Sequence, residues 1–119
     1  MTVKNSGEFS ENAQGESHRM PISNEWWSFS ANLIEMEKEA PGVYELGNPG
    51  KNVIFIGSST NLRLSLLEHL NSQSGSCIHR FVTRYRVEYT KDFAAREDAL
   101  FQDHLKTHGK LPRCNDRIH

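Results

Sequence analysis

Residues 42–57 read Gly-Val-Tyr-Glu-Leu-Gly-Asn-Pro-Gly-Lys-Asn-Val-Ile-Phe-Ile-Gly, and this stretch decides the fold. Two apolar runs, GVYEL and VIFIG, flank GNPGKN, a segment dense in turn formers. Short β-branched and aromatic runs around a Gly/Asn/Pro loop predict a β-hairpin. Tyr44 and Phe55 are expected at matching depths on the two strands, as a cross-strand aromatic pair.

Working outward toward the C-terminus, Ser58, Ser59, Thr60 and Asn61 are candidate helix caps. The helix NLRLSLLEHLN follows, with Leu62, Leu66 and Leu70 on its buried stripe. SQSGS is a loop, and RFVTRYRVEYT alternates cleanly. Phe81, Tyr85, Val87 and Tyr89 fall on or near one face, with Arg80, Arg84, Arg86 and Glu88 on the other, which predicts a strand with a solvated basic face. Asp92 is expected to cap the helix FAAREDALFQDHLKTH, which stops at Gly109, and KLPRCNDRIH is irregular.

Toward the N-terminus, Trp26, Phe29, Leu33 and Met36 recur at helical spacing, with Ser23 or Asn24 as cap and Pro41-Gly42 as stop. The two tryptophans, Trp26 and Trp27, can serve as core or as stacking surfaces for bases. Residues 1–22 are rich in Ser, Asn, Gln, Glu and Gly and read as a disordered tail, leaving 23–119 as one domain with an N-terminal helix. The order helix, hairpin, helix, strand, helix predicts an α+β fold, a small antiparallel or mixed sheet packed by helices.

Composition agrees with one domain: 119 residues, 36% hydrophobic and 24% charged. That balance excludes collagen-like, coiled-coil and membrane-spanning classes. Residues 1–75 carry five Lys/Arg against nine acids, a net of −4, while 76–119 carry nine against six, a net of +3. A basic C-terminal third suits either an anionic partner or a solvated face of mixed charge. Two cysteines, Cys77 and Cys114, are too few for a disulfide scaffold. The expected setting is reducing and cytoplasmic, with no membrane partner.

Glu97 stands among Phe93, Ala94, Leu100 and Phe101 on the apolar face of its helix. A carboxylate there must be paired, protonated or bound to a cation. It is either a salt-bridge partner for an arginine of the basic strand, or a metal ligand or catalytic acid. His69 lies beside the stripe of its own helix. His104 and His108, one turn apart, followed by Cys114, are a possible zinc set, with Cys77 or His79 as fourth ligand.

Gly42-Val43-Tyr44, then Phe55-Ile56-Gly57, then the helix opened by Asn61-Leu62, resemble the GIY-YIG nuclease family. His69 holds the place of a histidine many members carry, Glu97 stands in the Ala-x-x-Glu context of the metal-binding glutamate, and Leu111-Pro112 with Asn115 resembles the closing element. The resemblance covers about residues 41–117. It implies a three-stranded antiparallel sheet flanked by helices, and hydrolysis of nucleic-acid phosphodiesters, DNA favoured, with Mg²⁺ or Mn²⁺ on Glu97. It implies catalytic roles for Tyr44, Phe55, Ser65, His69, Glu97 and Asn115, and phosphate contacts from Arg63, Arg84, Arg86, Lys110 and Arg113. Tyr44 would orient the attacking water or help deprotonate it.

Two positions depart from the pattern. Phe55 replaces the second tyrosine. Ser65 stands where the family has a catalytic arginine, and serine supplies no fixed charge or bidentate fork. The implied functions are therefore a nuclease domain, weak in this form unless Arg84 or Arg86 reaches in, or a catalytically silent module binding nucleic acid or protein. Specificity would come from a homodimer or a separate subunit.

Overall fold

A computed structural model describes residues 22–115. Its elements run β1 (Trp27–Ser28), α1 (Ala31–Ile34), β2 (Gly42–Gly47), β3 (Val53–Ser59), α2 (Leu62–Leu70), α3 (Cys77–Phe81), β4 (Arg84–Tyr89) and α4 (Phe93–His108). The hairpin forms where the sequence places it, between β2 and β3. Its turn is closed by Lys51 N–H to Asn48 O at 2.8 Å and by the Asn48 side chain, which accepts from Asn52 N–H at 3.0 Å. β4 then pairs antiparallel with the other side of β2.

The sheet has four strands rather than three, in the order β1-β4-β2-β3. The fourth is β1, where Trp27 and Ser28 pair with Tyr85 and Arg84. The expected N-terminal helix is thereby cut to the four residues of α1. Pairing along the free edge of β4 satisfies backbone groups that a helix would have paired internally, and Phe29 N–H extends it to Thr83 O at 2.9 Å. Met36, expected on the buried stripe, is 80% exposed.

Two further expectations are corrected. Arg80 and Phe81 belong to α3, not to the strand; the Ser76 side chain caps that short helix by accepting from His79 N–H at 3.1 Å. The polar face of β4 is not a solvated basic face, because Arg86 and Glu88 are each held in an ion pair. Arg86 Nε donates to Glu45 Oε1 at 2.7 Å, and Glu88 takes a two-pronged contact from Arg96 on α4 at 2.7 and 3.0 Å. Glu45 and Arg96 are only 2% and 5% exposed, so both charges depend on their partners.

The two sheet faces carry separate cores. One buries Tyr44, Leu46, Phe55, Tyr85 and Val87 against Leu62 and Leu66 of α2 and Ile34 of α1. The other buries Val43 and Ile56 against Leu100 of α4 and Ile22. Burial therefore reaches Ile22, the last residue read as tail; residues 1–21 lie outside the described residues. α4 spans the expected residues and ends at Gly109, whose left-handed φ of 75° suits glycine. Asp92 precedes it but makes no side-chain cap hydrogen bond.

Cys77 and Cys114, too few for a disulfide scaffold, nonetheless form one disulfide. It ties α3 to the segment after α4, and that segment follows β3, with Cys114 N–H donating to Ile54 O at 2.9 Å. No described helix is long and apolar enough to cross a membrane.

Candidate active site

Tyr44 sits in the middle of β2, directly opposite Gly57 rather than Phe55. A Cβ at Gly57 would fall 2.5 Å from the Tyr44 hydroxyl oxygen, so the ring lies flat across the glycine and carries its hydroxyl to the outer strand of the sheet. There it meets His69 of α2, with Tyr44 Oη and His69 Nε2 2.8 Å apart. Phe55 pairs with Tyr44 on the diagonal, ring centroids 6.0 Å apart, and sets its edge against His69 at 5.0 Å. The second aromatic of the sequence pattern thus fixes the orientation of the imidazole and has no polar atom to contribute.

Glu97 arrives from the opposite face of the sheet. Ser58, next to Gly57, points toward α4 and donates its hydroxyl to Glu97 Oε1 at 3.0 Å. Tyr44 and Glu97 converge on the Gly57–Ser58 step from opposite faces. Their proximity is felt electrostatically: burial first, then the Glu97 and Glu68 carboxylates, hold the Tyr44 phenol far above its ordinary pKa. Burial lowers the His69 pKa, against a smaller opposing pull from Glu68. At neutral pH the pair is a protonated phenol beside a neutral imidazole. Glu97 pairs with serine and not with an arginine of β4; the helix-to-strand ion pair runs instead from Arg96 to Glu88.

Ser65 is one helical turn before His69, and its hydroxyl donates to Ser59 Oγ at 2.6 Å. Ser59 in turn donates to Asn61 O at 2.8 Å, tying the start of α2 to the end of β3. None of the arginines expected to compensate comes here. Arg86 is bound to Glu45, and Arg84 lies at the other end of β4, opposite Gly47. Arg63 turns to Glu39 at 2.9 Å, and Arg113 stacks on Phe81 at 4.1 Å. Lys110 accepts on its carbonyl from the His104 side, at 2.8 Å.

Asn115 does not join Tyr44 and His69. Its carboxamide brackets one residue of β3, accepting from Ile56 N–H at 2.9 Å and donating to Ile56 O at 3.1 Å. It acts through the strand, holding the residue next to Gly57. Ser58 and Ser59 contribute polar contacts that the sequence reading assigned to helix capping; the cap itself is Asn61, which accepts from Leu64 N–H at 3.1 Å. The period of two in β3 is the sequence feature that places Ser58 on the Ile56 side, facing the helix of Glu97.

No group of three or more His, Cys, Asp or Glu gathers among the described residues. The zinc reading loses its thiolates to the disulfide. Glu97 offers a single carboxylate with one oxygen engaged by Ser58. That donor set fits a hard cation such as magnesium, which keeps several waters and takes one or two carboxylates.

A family model described as Domain of unknown function (DUF7508) matches residues 20–107. The chain belongs to this family. Among solved structures, this DUF7508 chain is similar to the GIY-YIG N-terminal endonuclease domain of UvrC from Thermotoga maritima. A Tyr-to-Phe point mutant of that domain bound to its catalytic divalent cation is 26% identical, with a TM-score of 0.53 over 71% of this chain and 92% of that one. The same domain bound to magnesium is 24% identical, with a TM-score of 0.51 over 71% and 92%. No curated protein matches. The DUF7508 chain therefore carries a GIY-YIG-like domain with a nuclease-like fold.

Proposed function

We propose that this domain is a metal-dependent endonuclease, hydrolysing nucleic-acid phosphodiester bonds with DNA favoured over RNA, and that Ser65 makes it slow. The observation that carries the proposal is the 2.8 Å contact of Tyr44 with His69 beside the Gly57–Ser58 step and Glu97. Tyr44 Oη accepts a hydrogen bond from the attacking water and passes its own proton to His69 Nε2. The water proton then resides on Tyr44 and the relayed proton on His69. Burial favours this sequence over a free phenolate, because the phenol is held protonated and the imidazole neutral. Glu97 would hold Mg²⁺ or Mn²⁺, which when bound stabilises charge on the phosphate and the leaving oxygen.

Serine rather than arginine at position 65 favours a second reading, a nucleic-acid-binding module without catalysis. A plasmid-nicking assay with Mg²⁺ or Mn²⁺ separates the two. The endonuclease reading expects slow nicking by the parent that Tyr44→Phe abolishes; nicking equal in both proteins overturns it. Sequence specificity in this proposal comes from a second copy or a separate subunit.

A further inference from the structure

The same helix that carries Glu97 borders an open groove of about 1310 Å³ on the α4 face of the sheet. Its walls are the second half of α4, the hairpin turn and the segment after α4; its floor includes the Glu45–Arg86 pair. Three cations outside that pair line it, Lys51, Lys110 and Arg113, against one further acid, Asp103. His104 and His108, with rings 4.3 Å apart, stand along the helical wall.

Several features hold these groups in place. Lys51 keeps a left-handed φ of 66° although Gly50 is its neighbour, a conformation that costs a non-glycine residue of order 1 kcal/mol. Arg113 is stacked on Phe81 at 4.1 Å, on a segment anchored by the Cys77–Cys114 disulfide. His104 Nδ1 is within 2.8 Å of Lys110 O, joining the helical wall to that segment. Glu97, Leu100 and His104 follow one another at helical spacing, so the groove begins one turn from Glu97. His104 lies about 10 Å along the axis from Glu97.

We infer that this groove is a nucleic-acid backbone track, in which Lys51, Lys110 and Arg113 contact phosphates flanking the one presented at Tyr44 and Glu97. The inference rests on the proposed function for its ligand class. An open trough lined by separated cations, walled by the same helix that carries Glu97, suits a chain of phosphates. Each neutralised phosphate releases counterions, so the track must appear as a salt dependence.

The test is fluorescence anisotropy of a labelled oligodeoxynucleotide in EDTA, titrated over a range of salt. It compares the full chain, the triple variant Lys51→Gln/Lys110→Gln/Arg113→Gln, and a charge-matched control. The control is Lys38→Gln/Lys91→Gln/Lys106→Gln, three exposed lysines that do not line the groove. The expected result is that the groove variant binds at least about tenfold more weakly at low salt, with a log–log salt slope shallower by about two to three, while the control keeps the parental slope. Equal losses in both triples, no loss in either, or a parent that does not bind would overturn the track. Circular dichroism shows whether each variant is folded; if the triple unfolds, single Gln variants are read for a slope change of about 0.7–0.9 each, and unchanged slopes overturn the track. A parent that binds through the groove but never nicks plasmid refutes the endonuclease and leaves the track standing.

Discussion

Tyr44 and His69 are 25 positions apart in sequence, yet their polar atoms meet at 2.8 Å over Gly57. A pair that relays one proton acts as a unit, so its members should not contribute independently. Tyr44→Phe and His69→Gln are each expected to slow cleavage by about 10²–10⁴-fold, and the double variant little more than either alone. Single-turnover plasmid cleavage measures this; multiplicative losses would mean two separate roles. Tyr44→Phe removes only the hydroxyl, so stability should fall by about 1 kcal/mol.

The buried imidazole also sets a pH dependence. Folded His69 has a lowered pKa, so below about pH 6.5 the unfolded ring binds a proton that the folded ring refuses. The unfolded state then holds more protons, and stability falls as pH falls through that range; above it the neutral ring costs nothing. Urea midpoints measured down to about pH 5 should show this decline, and His69→Gln should flatten it. The acid limb of cleavage should lie below pH 6.5, where the ring finally charges.

Ser65→Arg should accelerate cleavage by about 10²-fold, because a guanidinium one turn before His69 supplies paired donors that serine does not. Tyr44→Phe in that background should remove most of the gain. A folded Ser65→Arg protein no faster than its parent would move the binding-only reading ahead.

Glu97→Ala should abolish binding of Mg²⁺ or Mn²⁺ in calorimetric titration while the fold persists. The only described side-chain bond to Glu97 is the hydroxyl of Ser58, so no buried cation is stranded by the change. Undiminished metal affinity would show that the ligand is another residue.

Reduction of Cys77–Cys114, which spans 37 positions, should lower unfolding stability by about 4 kcal/mol through regained chain entropy. Denaturant midpoints with and without a dithiol test this. Cleavage should fall as well, because Asn115 next to Cys114 holds Ile56, and so the Gly57–Ser58 step, in place.

Elements with a sustained period were legible in the sequence: the hairpin, α2 and α4. β1 and α3 were not, since a two-residue pairing and a five-residue helix are shorter than any periodic pattern. Glu97 stands out in the sequence as a carboxylate set into an apolar stripe and His69 as a polar group beside one; Tyr44 stands out only through the family pattern, and its contact with His69 is tertiary. The disulfide depends on tertiary proximity and leaves no local trace. Arg96 shares one helical face with Phe93 and Leu100, but its burial depends on Glu88 of β4, a tertiary partner that no local pattern announces.

The segment after α4 has one more effect. As the outermost strand of the sheet, β3 would expose a row of unpaired amides and carbonyls, a template onto which another molecule's strand can add. Ile54 O is taken by Cys114, and both backbone groups of Ile56 are taken by Asn115, while the opposite border is the two-residue β1. Both margins are thus blunted against strand addition, the defence of a sheet against edge-to-edge aggregation.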